Sequence, residues 1–376
     1  VAATKTKGRK PSKGAREDAD SDFHLVRELL ELTALTFRQI PYTHRAFTRT
    51  GRLKASSRKL IQTRLERQVQ ACHRPGAVLE LFWDEPGASP RSKRLLGAFC
   101  VFEAKTFYDG TPERLVRLHL RLGPLEPAAN RAKILRWARA MLAKHQKQIR
   151  PPRLKMILDW PARILLRECV SRGASKGGLY IDSVVLLGDT RQALGALRRK
   201  YGLLKKFPQR LGLRVEPLRT RKQASECLRI LKAEFTRNPQ FGWFVATPGF
   251  LKMQEREYLA SIRAKDGPYN FVILSRDGRI VGEFGFHPNP SNPFGATLGS
   301  MGFNFAPEIQ GNGLAKYAYA QLLRELAKRR IPIFLGGTSQ PGVLKLAKVM
   351  KRVPVSLELY PGKGFFPSRH FLQWLE

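Results

Sequence analysis

Apolar positions along this chain alternate between two periods. From about Phe23 to Arg38, Leu25, Leu29, Leu30, Leu32 and Leu35 recur at helical spacing, and a second, basic helix is expected over 56–71. "GAVLELFWDE" and "KRLLGAFCVFEAKTFYDG" read as strands joined by the turn-rich "EPGASPRS". "RLVRLHLRL" alternates apolar and basic residues, as a strand with one wet face does; "AANRAKILRWARAMLAKH" is amphipathic at helical period. "RLKMILDW" predicts a strand, "PARILLRECVSRG" a helix stopped by Gly173, and "GLYIDSVVLLGD" another strand. A basic helical connector is expected over about 189–207.

The order then repeats. "GLRVEPLRT" is a strand, followed by two helices, "KQASECLRILKAEFTRN" and "PGFLKMQEREYLASIRAK". "YNFVILSRDGRIVGEFGFHPNP" is a hairpin turning at Asp277-Gly278. "ATLGSMGFNFAP" is a strand whose Gly299 and Gly302 imply a bulge or a close backbone approach. A glycine loop, the helix "LAKYAYAQLLRELAKRR", the strand "IPIFLGGTS", the helix "PGVLKLAKVMKR" and two terminal strands, "PVSLELYPG" and "SRHFLQWLE", complete the chain. "RAKILRWARAML" stands where "LAKYAYAQLLRE" stands, and "LKMILDWPARILL" where "IPIFLGGTSQPGVL" stands. This points to a duplication, carried more by element order than by identities, with two unrelated α/β domains as the other reading.

Composition adds bounds. At 376 residues the chain is long for one domain, and 43% hydrophobic residues suffice for sizeable cores. No apolar run is long enough for a transmembrane helix, and the first twenty residues have no apolar stretch of the secretory kind. They read as a disordered basic tail. Cys72, Cys100, Cys169 and Cys227 lie far apart, and the seven histidines have no ligand spacing. No metal is expected, and a reducing, cytoplasmic setting is. The formal charge of +38 admits two readings: a nucleic acid or other polyanion as partner, or basic faces that are merely solvated.

The chemistry is concentrated in "FAPEIQGNGLAKYAY", residues 305–319. A glycine loop between a strand and a helix aims backbone N–H groups and the positive helix end at one spot, where phosphates are the usual guests. A Walker A loop is excluded, because Leu314 and Ala315 follow Gly313. A Rossmann fingerprint is excluded, because Lys316 takes its third glycine position. What remains is [QR]-x-x-G-x-[GA], filled by Gln310, Gly313 and Ala315.

On this motif, its Pro307-Glu308 lead-in and the element order around it, the sequence from about 211 to 376 resembles the GNAT superfamily of acyl-CoA-dependent N-acyltransferases. The resemblance implies an α/β (α+β) fold of two tandem GNAT-like domains, each a mixed, mostly antiparallel sheet flanked by helices. The expected divisions are a tail over 1–20, a degenerate copy over 21–188, the connector over 189–210 and a CoA-binding domain over 211–376. It implies acetyl-CoA as co-substrate and an amine-bearing acceptor. The loop amides over Gly311, Asn312, Gly313, Leu314 and Ala315 would hold the pyrophosphate, and Gln310 would close over a phosphate. The strand near Phe303 and Phe305 would bond the pantetheine, and Ser339 and Gln340 would lie beside the thioester arm. The N-terminal copy reads "PAANRAK" where the loop should be, so it is expected to bind no CoA.

Direct aminolysis needs a base or a water chain. Glu283 is the carboxylate inside the hairpin and central-strand region, hence the candidate base; a solvent-facing strand residue is its other reading. Ser300 and Asn304 are candidates for a relay water. The family frequently has a tyrosine acid in a Y-x-x-x-G-F context; here that slot is Ala347, and the Gly-Phe is absent too. Tyr317 and Tyr319 read as packing residues. Two other functions stay open: an aminoacyl-tRNA-dependent transferase of the duplicated fold, and a catalytically weak nucleic-acid-binding protein built on it.

Overall fold

The computed structural model describes residues 13–84, 94–105, 112–145, 154–166, 169, 179–202, 204–237, 249–338 and 340–361. The strands are β1 Val78–Trp83, β2 Leu95–Lys105, β3 Pro112–Leu120, β4 Leu154–Asp159, β5 Leu179–Asp189, β6 Arg214–Pro217, β7 Asn270–Leu274, β8 Ile280–Asn289, β9 Leu298–Phe305, β10 Ile333–Thr338 and β11 Val353–Pro361. The helices are α1 Lys13–Arg38, α2 Ala55–Cys72, α3 Ala128–Lys144, α4 Thr190–Tyr201, α5 Arg221–Arg237, α6 Phe250–Ile262, α7 Leu314–Lys328 and α8 Pro341–Val349.

The fold is mixed α/β with one long mixed sheet, in the order β1-β2-β3-β4-β11-β5-β10-β9-β8-β7-β6. This differs from two separate sheets, and the difference lies in its middle. β11, from the C-terminal half, inserts between β4 and β5; β5, from the N-terminal half, inserts between β10 and β11. The pairings mirror each other about the β5–β11 seam. β3 and β4 are parallel, as are β9 and β10, and the flanking pairs are antiparallel. Both β3–α3–β4 and β9–α7–β10 are crossovers. The exchange leaves neither half with an open strand edge at the junction.

Helices cover both faces. In the N-terminal half, α1 and α2 bury Leu29, Leu32, Leu65 and Val69 against Leu95, Ala98 and Cys100, while α3 buries Ile134 and Ala138 against Phe99, Val116 and Leu118. In the C-terminal half, α4 and α7 lie over Phe284, Phe305 and Phe334, while α5 and α6 bring Cys227, Ile230 and Tyr258 onto Val272 and Leu274.

Some expectations shift. Helix α1 starts at Lys13, so residues 13–20 are helical rather than tail. Ala15, Arg16, Glu17 and Ala19 are good helix formers, and they extend a helix that the apolar face nucleates further on. The helix expected from Pro161 begins as a 3₁₀ segment over Trp160–Leu165, and Leu166 and Cys169 beyond it are α-helical. The turn "EPGASPRS" and the strand "SRHFLQWLE" lie outside the described residues. Among the described residues no helix is long and apolar enough to cross a membrane, and no group of three or more His, Cys, Asp or Glu could hold a metal.

Candidate active site

Strands β9 and β10 part company. They pair where Leu298, Gly299 and Ser300 meet Ile333, Phe334 and Leu335, then stop, although β9 runs on to Phe305 and β10 to Thr338. They are still close at Gly336, where a Cβ would lie 3.4 Å from the Met301 carbonyl oxygen; beyond it Gly302 and Gly337 are exposed. A wedge therefore opens in the sheet, with one β9 edge free to bond a guest. Its counterpart stays closed: β3 and β4 pair from Arg114 and Leu154 to Leu118 and Leu158, nearly the whole of β4.

The glycine loop ends β9 and starts α7. Gly311 and Gly313 have φ of 78° and 75°, a region that L side chains disfavour, so glycine there follows from the turn itself. Gly313 is the N-cap of α7 and offers no side chain. Among the described residues the amides of Gly311, Asn312, Gly313, Leu314 and Ala315 have no acceptor. Five free N–H groups at a helix start are donors that an anion could accept from. Gln310 is exposed, and its amide donates to the Phe305 carbonyl at 2.7 Å, pinning the loop to the end of β9. The Asn312 amide donates to the Ile309 carbonyl at 3.5 Å. Lys316 lies over the Tyr201 ring at 4.7 Å, near Gly313.

In the N-terminal half the matching helix start has no glycine loop. Pro127 is the N-cap of α3, and the carboxylate of Glu126, itself buried, accepts from Asn130 Nδ2 at 2.9 Å and Arg94 Nη2 at 3.1 Å.

Phe303 and Phe305 stack at 5.2 Å beneath the wedge, on the α7 side. Gln340, exposed, is the N-cap of α8, and its N–H donates to Thr338 Oγ1 at 3.1 Å. Ser339 lies outside the described residues.

The opposite face carries the carboxylate. Glu283 is directly across from Asn304 in the β8–β9 ladder, so both side chains point the same way. Asn304 Nδ2 donates to Glu283 Oε1 at 2.5 Å, and the Tyr258 hydroxyl donates to the same oxygen at 3.0 Å. Glu283 is buried, not solvent-facing. Burial pushes its pKa up to about 7, the two hydrogen bonds pull it back, and the nearby Glu257 charge adds to the rise. Glu257 is itself raised by burial. Beside Glu283 the Asn270 side chain covers Gly285, whereas a Cβ on Gly302, opposite Gly285 on β9, would meet nothing within 4 Å.

Ser300 is not part of this group. It faces His287 four residues along β9 from Asn304, about 13 Å away at strand rise. Tyr258 and Glu257 were not legible as site residues. Tyr258 occupies an apolar position of α6, and only the packing of α6 on β7 and β8 brings its hydroxyl to Glu283. Gly299, by contrast with Gly302, is a packing residue: its Cβ would lie 2.6 Å from Leu326 of α7.

Residues 229–348 match the acetyltransferase (GNAT) family model. Among solved structures, the chain is similar to a GCN5-related N-acetyltransferase from Sphaerobacter thermophilus, at 13% identity and a TM-score of 0.42, over 80% of this chain and 92% of that one. It is also similar to a tandem GNAT protein from the clavulanic acid biosynthesis pathway, at 12% identity and 0.39, over 91% and 95%. A GCN5-related N-acetyltransferase from Kribbella flavida gives 13% and 0.36, over 84% and 98%. No curated protein matches the chain.

Proposed function

We propose that the C-terminal half is an N-acyltransferase that moves an acetyl group from acetyl-CoA to an amine by direct attack. The observation that carries this reading is the conjunction of five free amides at the start of α7 with the wedge between β9 and β10. The amides would hold the pyrophosphate. The free edge of β9 at Met301–Phe305 would bond the pantetheine, placing the thioester in the wedge.

The acceptor would approach over Gly302, within reach of Glu283. A carboxylate with a pKa near neutrality is suited to take a proton from an ammonium or from the attacking amine. Asn304 and Tyr258 orient it. Ser300 lies too far along β9 to share that role. The N-terminal half, with Glu126 against α3 and β3 and β4 closed, supplies strand β5 rather than a second CoA site.

The +38 charge favours an acceptor that is carried on, or held beside, a polyanion such as RNA. Incubation with acetyl-CoA and a panel of amines and basic peptides, with free CoA thiol followed by a thiol-reactive dye, tests the reading. Amine-dependent thiol release supports it. No release over background with any amine, from protein that binds CoA, contradicts it.

A further inference from the structure

The two halves of the chain differ at one place on the sheet. Counted back from the strand ends, Arg117 stands on β3 where Gly302 stands on β9, three residues before Leu120 and Phe305. Arg117 is opposite Cys100 in the β2–β3 ladder, as Gly302 is opposite Gly285. The side chains of Arg117, Cys100 and His119 therefore leave the sheet on one face. Helix α2 covers that face: Gln68 Nε2 donates to Cys100 Sγ at 3.3 Å and to His119 Nε2 at 3.1 Å. Arg64 precedes Gln68 by one turn on the same side of α2. It comes near enough to Arg117 that the Arg117 charge adds to burial in lowering its pKa.

Nothing on the protein neutralises this pair. Among the described residues neither guanidinium makes a hydrogen bond or an ion pair, although Arg117 is half-buried. His119 carries no charge, because burial and the Arg117 cation push its pKa down to about 3. Asp159 lies on the same face of β4, two residues beyond the Ile157 that pairs with Arg117. It forms no ion pair with Arg117, and burial raises its pKa more than the cation lowers it. Two partly desolvated like charges are unfavourable together, and an anion between them removes both the repulsion and the unmet donors.

We propose that Arg64 and Arg117 form a binding site in the N-terminal half for a small, doubly charged oxyanion, a phosphate monoester or a dicarboxylate. Each guanidinium offers a planar fork of N–H donors that matches carboxylate or phosphate oxygens. Two forks on facing elements, one from α2 and one from β3, call for a ligand with two negative charges. The site is separate from the glycine loop and does not rest on the acyl-CoA reading.

Phenylglyoxal labels guanidinium groups, and peptide mass mapping of the full chain reads each arginine separately. Labelling is followed in inorganic phosphate, in succinate and in chloride, all at one ionic strength. The exposed Arg136 and Arg199 report non-specific screening. At an anion concentration about ten times its dissociation constant, labelling of Arg64 and Arg117 should slow about tenfold and in parallel, with Arg136 and Arg199 unaffected. Protection by phosphate alone, or by succinate alone, supports the site and selects its ligand. In folded Arg117→Gln the protection of Arg64 should be lost. No slowing at Arg64 and Arg117, slowing no greater than at Arg136 and Arg199, or undiminished protection of Arg64 in folded Arg117→Gln overturns the proposal. The comparison within the parent decides the matter by itself if that variant does not fold.

Discussion

At the scale of single residues, Glu283 connects stability to chemistry. Its pKa in the folded protein, about 7, lies above the ordinary 4.5. The folded state therefore holds its proton more tightly than the unfolded chain. The cost of the buried carboxylate is absent below about pH 4.5, grows as pH rises to about 7, and stays constant beyond. Glu283→Gln, which can still accept from Asn304 and Tyr258, should stabilise the protein by on the order of 3 kcal/mol at pH 8 and by little near pH 4.5. The same variant should lower kcat at least tenfold and erase an acidic limb centred near pH 7, with CoA affinity unchanged. Parental stability at pH 8 would show that the carboxylate is not buried as described; a parental pH–rate profile would remove it from the mechanism. Glu283 was legible in the sequence because few carboxylates fall in the sheet region. Its partner Tyr258 was not, because a tyrosine on the apolar side of a helix looks the same whether its hydroxyl is used or idle.

At the scale of elements, the glycines of β9 have opposite roles. Gly299 lies under Leu326, and Gly302 lies under open space. Gly299→Val should cost about 1–3 kcal/mol by overpacking, visible as a lowered melting temperature. Gly302→Val should leave folding and CoA binding intact and suppress transfer to amines by obstructing their approach. If Gly302→Val transfers at the parental rate, the acceptor does not come over Gly302. Sequence alone flagged both glycines but could not separate them, since what distinguishes them is a leucine 27 positions further along the chain. The loop was legible for the opposite reason. Its geometry is in its backbone, and two glycines one residue apart before a helix announce a positive φ directly.

For the whole molecule, the exchange of β5 and β11 makes the two halves interdependent. Each supplies a central strand to the other's side of the seam. Element order revealed the repeat, but the exchange could not be read from it, because β5 and β11 are apolar strands that would pair equally well at home. Thermal unfolding should therefore show one cooperative transition for both halves, with coincident curves by far-ultraviolet and aromatic circular dichroism. Two separated transitions would mean the seam does not couple them. The halves also differ at the proposed site: one has a glycine loop at its helix start beside an open wedge, while the other has Pro127 at its helix start and a closed sheet.

That asymmetry is the centre of the account, and calorimetric titration with CoA measures it directly. The parent should bind one CoA per chain, and Gly313→Arg, which puts a side chain where φ is 75° and the amides converge, should bind none while keeping a cooperative melt. Two CoA molecules per chain, or undiminished binding by a folded Gly313→Arg, would contradict it.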